Sequence, residues 1–331
     1  MNVAVLAHER FPDRAKTAVG VLRYADYDVT AVLDRDRAGE RVADHLPNVQ
    51  DAPIVEGIDD VPDPVDALVI GIAPIGGGFD ESWRQDVRGA IERGCDVLSG
   101  LHYYLDADEE FAALADDHGA DLRDLRRPPE DLTVADGRSR EVDADVVATV
   151  GTDCSTGKMT TSVELVEAAR QRGIDAALIP TGQTGVLIED WGIVVDRVPS
   201  DFVAGAIERM VRERGDDHDL LVVEGQGSIT HPAYSAVTCG ILHGAMPDAL
   251  VLCHEAGRES IHGYESFALQ PIPTYVDLYE SLAAPVNEAE VVAGMLNTRG
   301  IDGDDAAREA VDAFADELGG PATDPIRFDA A

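Results

Sequence analysis

The sequence predicts an α/β protein with two domains, each built on a mainly parallel sheet. Short runs of Val, Ile, Leu and Ala recur along the chain and alternate with stretches of helical periodicity. The 331 residues are enough for two such domains. Residues 126–143 interrupt the pattern because they are rich in Arg, Pro, Asp and Gly and lack apolar periodicity. We therefore expect domains at 1–125 and 144–331, joined by a linker at 126–143.

The N-terminal half alternates strands with helices, which predicts a parallel sheet with helices on both faces. Ligands of such sheets bind beyond the carboxyl ends of the strands, where Gly76–Gly78 and Ser99–His102 are expected; the alternative is that these glycines only form tight turns. Asp34 ends the second strand, where an acid can hold a ribose, but residues 8–13 contain no Gly-x-Gly-x-x-Gly. Asp34 is therefore interpreted as a solvated strand end. The predicted strands are 2–7, 29–33, 67–72 and 96–98, and the predicted helices are 14–24 and 81–93.

The C-terminal half continues the alternation. Polar residues follow four of its strands, at 151–158, 181–185, 224–228 and 297–298. Because the carboxyl ends of parallel strands meet at one edge of a sheet, we expect these four segments to gather there. The predicted strands are 146–150, 176–179, 220–223, 249–253 and 291–296, and the predicted helices follow Lys158 and cover 201–214 and 309–318.

The stretch from Val146 to Ser162 predicts a phosphate-binding loop. An apolar strand breaks at Gly151, passes through small polar residues and enters a helix after Lys158. The N–H groups of such a turn and the helix N-terminus converge on one anion, and the lysine adds a positive charge. Gly151 lies one residue earlier than the usual spacing, and the alternative is an ordinary polar turn. The expected cofactor-binding residues are Gly151, Thr152, Asp153, Cys154, Ser155, Thr156, Gly157, Lys158, Met159 and Thr160.

Composition narrows the class of protein. The formal charge is −38, with 64 acidic against 26 basic residues, and Lys16 and Lys158 are the only lysines. A dispersed acidic, lysine-poor composition is typical of adaptation to high salt, which screens self-repulsion. A lysine kept in a glycine-rich turn of such a chain is expected to be functional. The charge argues against nucleic-acid binding, and no apolar run is long enough to span a membrane.

The N-terminus and the cysteines indicate the compartment. Residues 1–10 lack a basic segment before the first apolar run, so no secretory signal is expected. The four cysteines have no Cys-x-x-Cys spacing, which favours reduced thiols. Both observations predict a cytoplasmic protein.

The motifs resemble known families. Gly-Thr-Asp-x-x-x-Gly-Lys, Thr-Gly-x-Thr-Gly and Val-Glu-Gly-x-Gly resemble dethiobiotin synthetase and its P-loop relatives over residues 145–300. The whole chain resembles a narrower family, in which a Rossmann-like domain precedes a doubly wound, P-loop NTPase-like domain. Residues 151–159, 224–228 and 99–102 carry that match. One branch is D-glutamate N-acetyltransferase, so the resemblance implies acetyl-CoA, a small-molecule substrate and a homo-oligomer such as a dimer.

Met159 bears on the activity. Phosphoryl transfer needs a hydroxyl after the lysine to hold Mg²⁺, and a thioether is a poor ligand for that ion. Coenzyme A needs only the phosphate cradle, which favours an acetyl-CoA-dependent N-acetyltransferase acting on D-glutamate or a similar acidic amino acid. One alternative is an ATP- and Mg²⁺-dependent ligase or kinase, with Thr160 substituting and Glu224 on the metal. Another is a non-catalytic nucleotide-binding regulator.

Amide formation needs a proton acceptor and groups that stabilise an oxyanion. Lys158, Glu224 and His231 are the predicted catalytic residues, and His254 is a further candidate base, although a single histidine is more often structural. The histidines lack His-x-x-x-His spacing, so no metal is expected unless Glu224 holds Mg²⁺. An acidic substrate needs guanidinium partners, for which Arg299 is one candidate. The predicted substrate-binding residues are Thr181, Gln183, Thr184, Arg197 and Arg258.

Overall fold

The computed structural model describes residues 1–72, 74 and 77–328, which form two compact units. The first unit contains residues 1–128 and 183–197, and the second contains residues 129–182 and the chain from 198 onward. The α/β class with parallel sheets is confirmed. The boundaries predicted at 125 and 144 stay predictions, but the observed units add a feature that a two-part division lacks: residues 183–197 pack with the first unit.

The first unit is a six-stranded sheet in the order β3-β2-β1-β4-β5-β6, and each neighbouring pair is parallel. Its strands are β1 Asn2–Leu6, β2 Asp28–Leu33, β3 Ile54–Val55, β4 Ala67–Ile70, β5 Asp96–Ser99 and β6 Leu122–Asp124. Its helices are α1 Lys16–Tyr24, α2 Arg84–Glu92, α3 Glu109–His118 and α5 Gln183–Glu189.

The core of this unit lies on both faces of its sheet. All four residues of β4 are buried, as expected for a central strand covered by helices on both sides. The helix α1 buries one face, which includes Ala18, Val21 and Leu22. Leu187 of α5 belongs to the same core although it comes from much later in the chain.

Asp34 corrects the interpretation of a solvated strand end, because it is 1% exposed. Its carboxylate accepts hydrogen bonds from the backbone N–H groups of Glu9 (3.2 Å), Phe11 (3.1 Å) and Asp36 (3.0 Å). The acid that would hold a ribose in a dinucleotide site instead fixes the loop after β1. Gly77 and Gly78 are described, whereas the Gly76 of the same prediction lies outside the described residues.

The second unit contains a six-stranded sheet in the order β14-β13-β10-β7-β9-β8, again with parallel neighbours, and a separate antiparallel hairpin. The sheet strands are β7 Asp145–Gly151, β8 Ala176–Ile179, β9 Leu220–Val223, β10 Ala249–Glu255, β13 Glu290–Asn297 and β14 Ala322–Thr323; β11 Ser260–Ile261 and β12 Tyr264–Ala268 form the hairpin. The helices are α4 Lys158–Gln171, α6 Ser200–Arg214, α7 Ser235–Ala245, α8 Ile272–Ala283 and α9 Asp304–Leu318.

The sequence predicted the central strands of this unit but did not identify the hairpin, α7 or α8. Because the sheet is parallel, the carboxyl ends of β7, β8, β9, β10 and β13 lie at one edge. Contacts between four of the loops that follow these strands are described below. Within the described part of the chain, no helix combines the length and the apolar character that crossing a membrane needs.

Candidate functional site

The loop between β7 and α4 forms a turn that can receive an anion. The strand ends at Gly151 and the helix begins at Lys158. Ser155 (φ 58°) and Gly157 (φ 106°) adopt left-handed conformations that reverse the chain. The first N–H groups of a helix have no intrahelical acceptor and carry partial positive charge. The turn therefore has the form of the phosphate cradle predicted from the sequence.

Lys158 points back into this loop. The residue is 6% exposed, and its ammonium donates to the backbone oxygen of Asp153 (2.8 Å) and to Oγ1 of Thr156 (3.5 Å). A Cβ on Gly151 would lie 2.9 Å from this ammonium and 2.7 Å from the same threonine oxygen. The glycine at its shifted position thus leaves the space that the lysine head group needs.

Asp153 fixes the shape of the loop. It is fully buried, and one carboxylate oxygen accepts from the N–H of Cys154 at 2.7 Å. The other accepts from Arg258 (2.9 Å) and from the N–H of His262 (2.7 Å). Arg258 also donates to the backbone oxygen of Cys154 at 2.6 Å and pairs with Glu255. Arg258 was predicted to bind substrate; its observed partners show that it holds the loop.

Glu224 connects the end of β9 to the loop that follows β8. It is 3% exposed, and Oε2 accepts from the N–H groups of Thr181 and Gly182, both at 3.0 Å. Its other oxygen accepts from Nε2 of Gln226 at 3.0 Å. Three donors therefore surround a carboxylate that was predicted to act as a base or to hold Mg²⁺, and this geometry is that of a structural strut.

His231 faces the loop from the segment after β9. Its Nδ1 accepts from the N–H of Ala233 at 3.1 Å, which places the ring proton on Nε2. Nε2 lies 3.9 Å from a carboxylate oxygen of Asp153. Burial lowers the pKa of His231, although Asp153 opposes this shift. The neutral ring therefore presents a donor to the loop, whereas a base acting through Nε2 would need the opposite tautomer.

His254, the other candidate base, lies at the end of β10. Its Nδ1 is 2.8 Å from Oγ1 of Thr152, and its ring stacks on Phe314 with centroids 5.7 Å apart. Burial, with a further contribution from Arg258, lowers the pKa of His254 to about 4. It is neutral at pH 7 but is a weak proton acceptor.

Asp153, Cys154 and His231 bring three potential ligand atoms within 4.8 Å of one another. Both oxygens of Asp153 are already hydrogen-bonded, and one of them faces the Arg258 cation. The Nε2 of His231 carries the proton, for the reason given above. These contacts make the cluster a closed hydrogen-bonded group that is poorly suited to a metal ion.

The predicted substrate-binding residues separate into two groups. In the second unit, Thr181 donates through Oγ1 to the backbone oxygen of Glu224 at 2.7 Å. Gln183, Thr184 and Arg197 belong to the first unit. Arg299, the further candidate guanidinium, is exposed after β13. The predicted set is therefore divided between the two units.

Two buried tyrosines on α8 were not identified from the sequence. The hydroxyl of Tyr279 donates to the backbone oxygen of Gly151 at 2.6 Å and accepts from the N–H of Ile229 at 3.1 Å. Tyr275 accepts from Oγ1 of Thr230 at 3.1 Å. Their i, i+4 spacing places both on one face of a helix, but it does not show that their hydroxyls reach the loops.

Comparison with known proteins agrees with this architecture. Residues 35–128 match the family described as "Domain of unknown function (DUF1611_N) Rossmann-like domain", and residues 133–331 match "Domain of unknown function (DUF1611_C) P-loop domain". A DUF1611 family protein from Anabaena variabilis, known from a crystal structure, is 37% identical; the match covers 99% of this chain and 96% of that one, with a TM-score of 0.94.

Two curated relatives carry the name D-glutamate N-acetyltransferase. The protein from Tritonibacter scottomollicae is 38% identical over 80% of this chain and 78% of its own length. The protein from Pseudoalteromonas sp. is 36% identical over 78% of this chain and 77% of its own length. These matches confirm the predicted resemblance and the prediction of an enzyme. With both domains matched in order, the chain belongs to the DUF1611 family of Rossmann-like and P-loop proteins.

Proposed function

We propose that this protein transfers the acetyl group of acetyl-CoA to the amine of D-glutamate or a similar acidic amino acid, and that the loop 151–160 binds the phosphates of the cofactor. The observation that carries the proposal is the buried ammonium of Lys158 inside a strand–loop–helix turn. The name shared by the two relatives supports the reaction and the substrate.

The composition of the loop favours acyl transfer over phosphoryl transfer. Met159 follows the lysine, where a hydroxyl would hold Mg²⁺ between phosphates. The carboxylate of Glu224 already accepts from three donors. A loop with these residues keeps the N–H groups and the cation that bind a pyrophosphate, but neither Met159 nor Glu224 is a ready ligand for a hard metal ion.

In this reaction the neutral amine attacks the thioester carbonyl, and the tetrahedral oxyanion collapses with loss of the CoA thiolate. The ammonium of the substrate loses protons, one of which neutralises the thiolate; the products are N-acetyl amino acid, free CoA and a proton. The Nε2–H of His231 suits donation to the oxyanion, because its Nδ1 is fixed as an acceptor. Lys158 would bind phosphate, and its ammonium would leave the oxygen of Asp153 to do so.

The direct test mixes acetyl-CoA with D-glutamate without ATP and follows the release of free thiol. We expect release that depends on the amino acid, with L-glutamate as the stereochemical control. In a parallel assay that contains ATP, ADP formation that depends on a carboxylate substrate would instead show an ATP-dependent ligase. Tight nucleotide binding without either turnover would show a regulator.

Lysine scarcity offers a matched pair of variants. Removing the ammonium of Lys158 by Lys158→Ala should weaken CoA binding about 10- to 100-fold, the cost of one charge-assisted contact. Lys16→Ala makes the same change at the other lysine, an exposed residue of the first unit, and should leave binding unchanged. Equal CoA affinities for both variants by calorimetry would contradict the role assigned to the loop.

A further inference from the structure

Basic groups gather at the carboxyl edge of the sheet in the first unit. The chain that leaves β5 contributes His102, and the chain that leaves β6 contributes Arg126. The segment 183–197, which returns to this unit from later in the sequence, contributes Arg197. Three basic side chains thus lie at one strand edge of a protein whose formal charge is −38.

Arg126 is the buried member of this cluster. The residue is 5% exposed, and its Nε donates to the backbone oxygen of Gly100 at 2.5 Å. One terminal nitrogen donates to Oε1 of Gln183 at 3.1 Å, and the other pairs with Asp196. The contacts hold the guanidinium rigidly in place.

Arg197 and His102 are more accessible than Arg126. Arg197 is exposed; it donates to the backbone oxygen of His102 at 2.8 Å and lies over the ring of Tyr104, 4.7 Å from its centroid. The side chain of His102 is 33% exposed, with its Nε2 3.8 Å from Asp196. Backbone and aromatic partners thus orient Arg197 without neutralising its charge.

The cluster has more positive charge than its acid can compensate. Asp196 is shared between Arg126 and His102. Burial and the neighbouring Arg197 lower the pKa of Arg126 to about 10. Burial and both guanidinium groups lower the pKa of His102. The basic groups therefore repel one another, a repulsion that an anion would relieve.

We propose that His102, Arg126 and Arg197 form a binding site for an anionic oxygen group, either a carboxylate or a phosphate. Arginine forks match the planar oxygens of both groups. The cluster lies beyond the carboxyl ends of parallel strands, where ligands of such sheets bind. The proposed function supplies one candidate of each kind, a side-chain carboxylate of an acidic amino acid and a phosphate of CoA. The site itself rests on the geometry of the first unit.

The test titrates the full-length protein by calorimetry with two probes, glutarate and adenosine 3′,5′-bisphosphate. The anionic groups of glutarate are carboxylates, and those of the bisphosphate are phosphates. Arg197→Gln removes the exposed guanidinium and leaves the contacts of the buried Arg126 in place. Arg23→Gln is the matched control, because Arg23 lies in the last turn of α1. That helix follows β1 and crosses back to the start of β2, so its last turn lies toward the opposite edge of the sheet.

We expect Arg197→Gln to weaken the binding of at least one probe about 10- to 100-fold, as for the loss of a charge-assisted contact. The probe affinities of Arg23→Gln should stay within about two-fold of those of the parent protein. Loss of glutarate binding identifies a carboxylate site, and loss of bisphosphate binding identifies a phosphate site. The inference is overturned if the parent binds neither probe, if Arg197→Gln weakens neither, or if both variants weaken binding equally. Probe binding that depends on Arg197, without any acetyl transfer, would reject the proposed function and keep this site.

Discussion

The replacement Glu224→Gln separates a structural role of this residue from a chemical one. The side chain keeps its shape but loses its charge, in a place where the carboxylate accepts from two backbone N–H groups and from the amide of Gln226, each at 3.0 Å. An amide oxygen can still face the two N–H groups. Its NH₂ group then meets the NH₂ group of Gln226, so two donors face each other.

The cost follows from these three contacts. A hydrogen bond to a charged group is worth about 1.5–3 kcal/mol and a neutral one about 0.5–1.5 kcal/mol, so each retained bond loses roughly 1 kcal/mol. The donor–donor contact with Gln226 adds about 1–3 kcal/mol, unless that amide rotates. We expect the free energy of unfolding of the second unit to fall by roughly 3–5 kcal/mol when these three effects are added, or by about 2 kcal/mol if the Gln226 amide rotates.

Calorimetric or denaturant unfolding of the full chain measures this loss. Glu213→Gln is the control because Glu213 makes an exposed i, i+4 pair with Arg209; its loss should cost less than about 0.5 kcal/mol. If the free energy of unfolding of Glu224→Gln matched that of the control, the structural role assigned to Glu224 would be refuted. A variant of unchanged stability whose acetyl transfer is abolished would show instead that the carboxylate acts in the chemistry.

Three further predictions follow from the loop and its supports. Gly151→Ala should weaken CoA binding at least about 10-fold, because its Cβ would lie 2.9 Å from the Lys158 ammonium. The control is Gly300→Ala, whose Cβ would have no atom within 4 Å; this variant should leave the CoA affinity measured by calorimetry unchanged. Tyr279→Phe should destabilise the protein by about 1–3 kcal/mol, since it leaves the oxygen of Gly151 and the N–H of Ile229 without the hydroxyl that they bond. The control is Tyr234→Phe, at an exposed tyrosine, and an equal stability of the two variants would contradict this. The pKa of His254 is lowered to about 4 in the folded protein, so the neutral ring contributes stability that is present above pH 6.5 and is lost as the pH falls through 4. The free energy of unfolding of His254→Asn, measured at several pH values, should therefore depend less on pH between 6.5 and 4 than that of the parent protein. An identical pH dependence would show that another group is responsible.

Local patterns predicted the parts of the fold that depend on local physics. The apolar runs that form β7, β8, β9 and β10 were correctly predicted as strands, because a strand covered on both faces is continuously hydrophobic. The phosphate loop was visible because Gly151 and Lys158 must occur at a short, fixed spacing. The short strands β3, β6 and β14, with two or three residues each, carry too little pattern to be distinguished from loops.

The functions of individual polar residues were harder to predict, because their partners are distant in the sequence. Asp34 ends a strand, as a solvated acid does, yet it caps a loop some 25 residues earlier. Arg126 falls in a segment that reads as a linker, but its guanidinium is buried against Gln183, 57 residues later. Arg258 is a predicted substrate ligand, and one of its two carboxylate partners is Asp153, 105 residues earlier. Nothing in a single sequence records such pairs.

The return of residues 183–197 to the first unit has a consequence for the order in which the chain can fold during synthesis. Leu187 belongs to the core of that unit, and Thr184 meets Thr17 at the start of α1 with their hydroxyl oxygens 2.9 Å apart. A ribosome that has released only the first 128 residues has therefore delivered an unfinished core. Completion waits until the phosphate loop and the strand after it have also emerged, so a fragment cut at residue 128 should be aggregation-prone when expressed by itself.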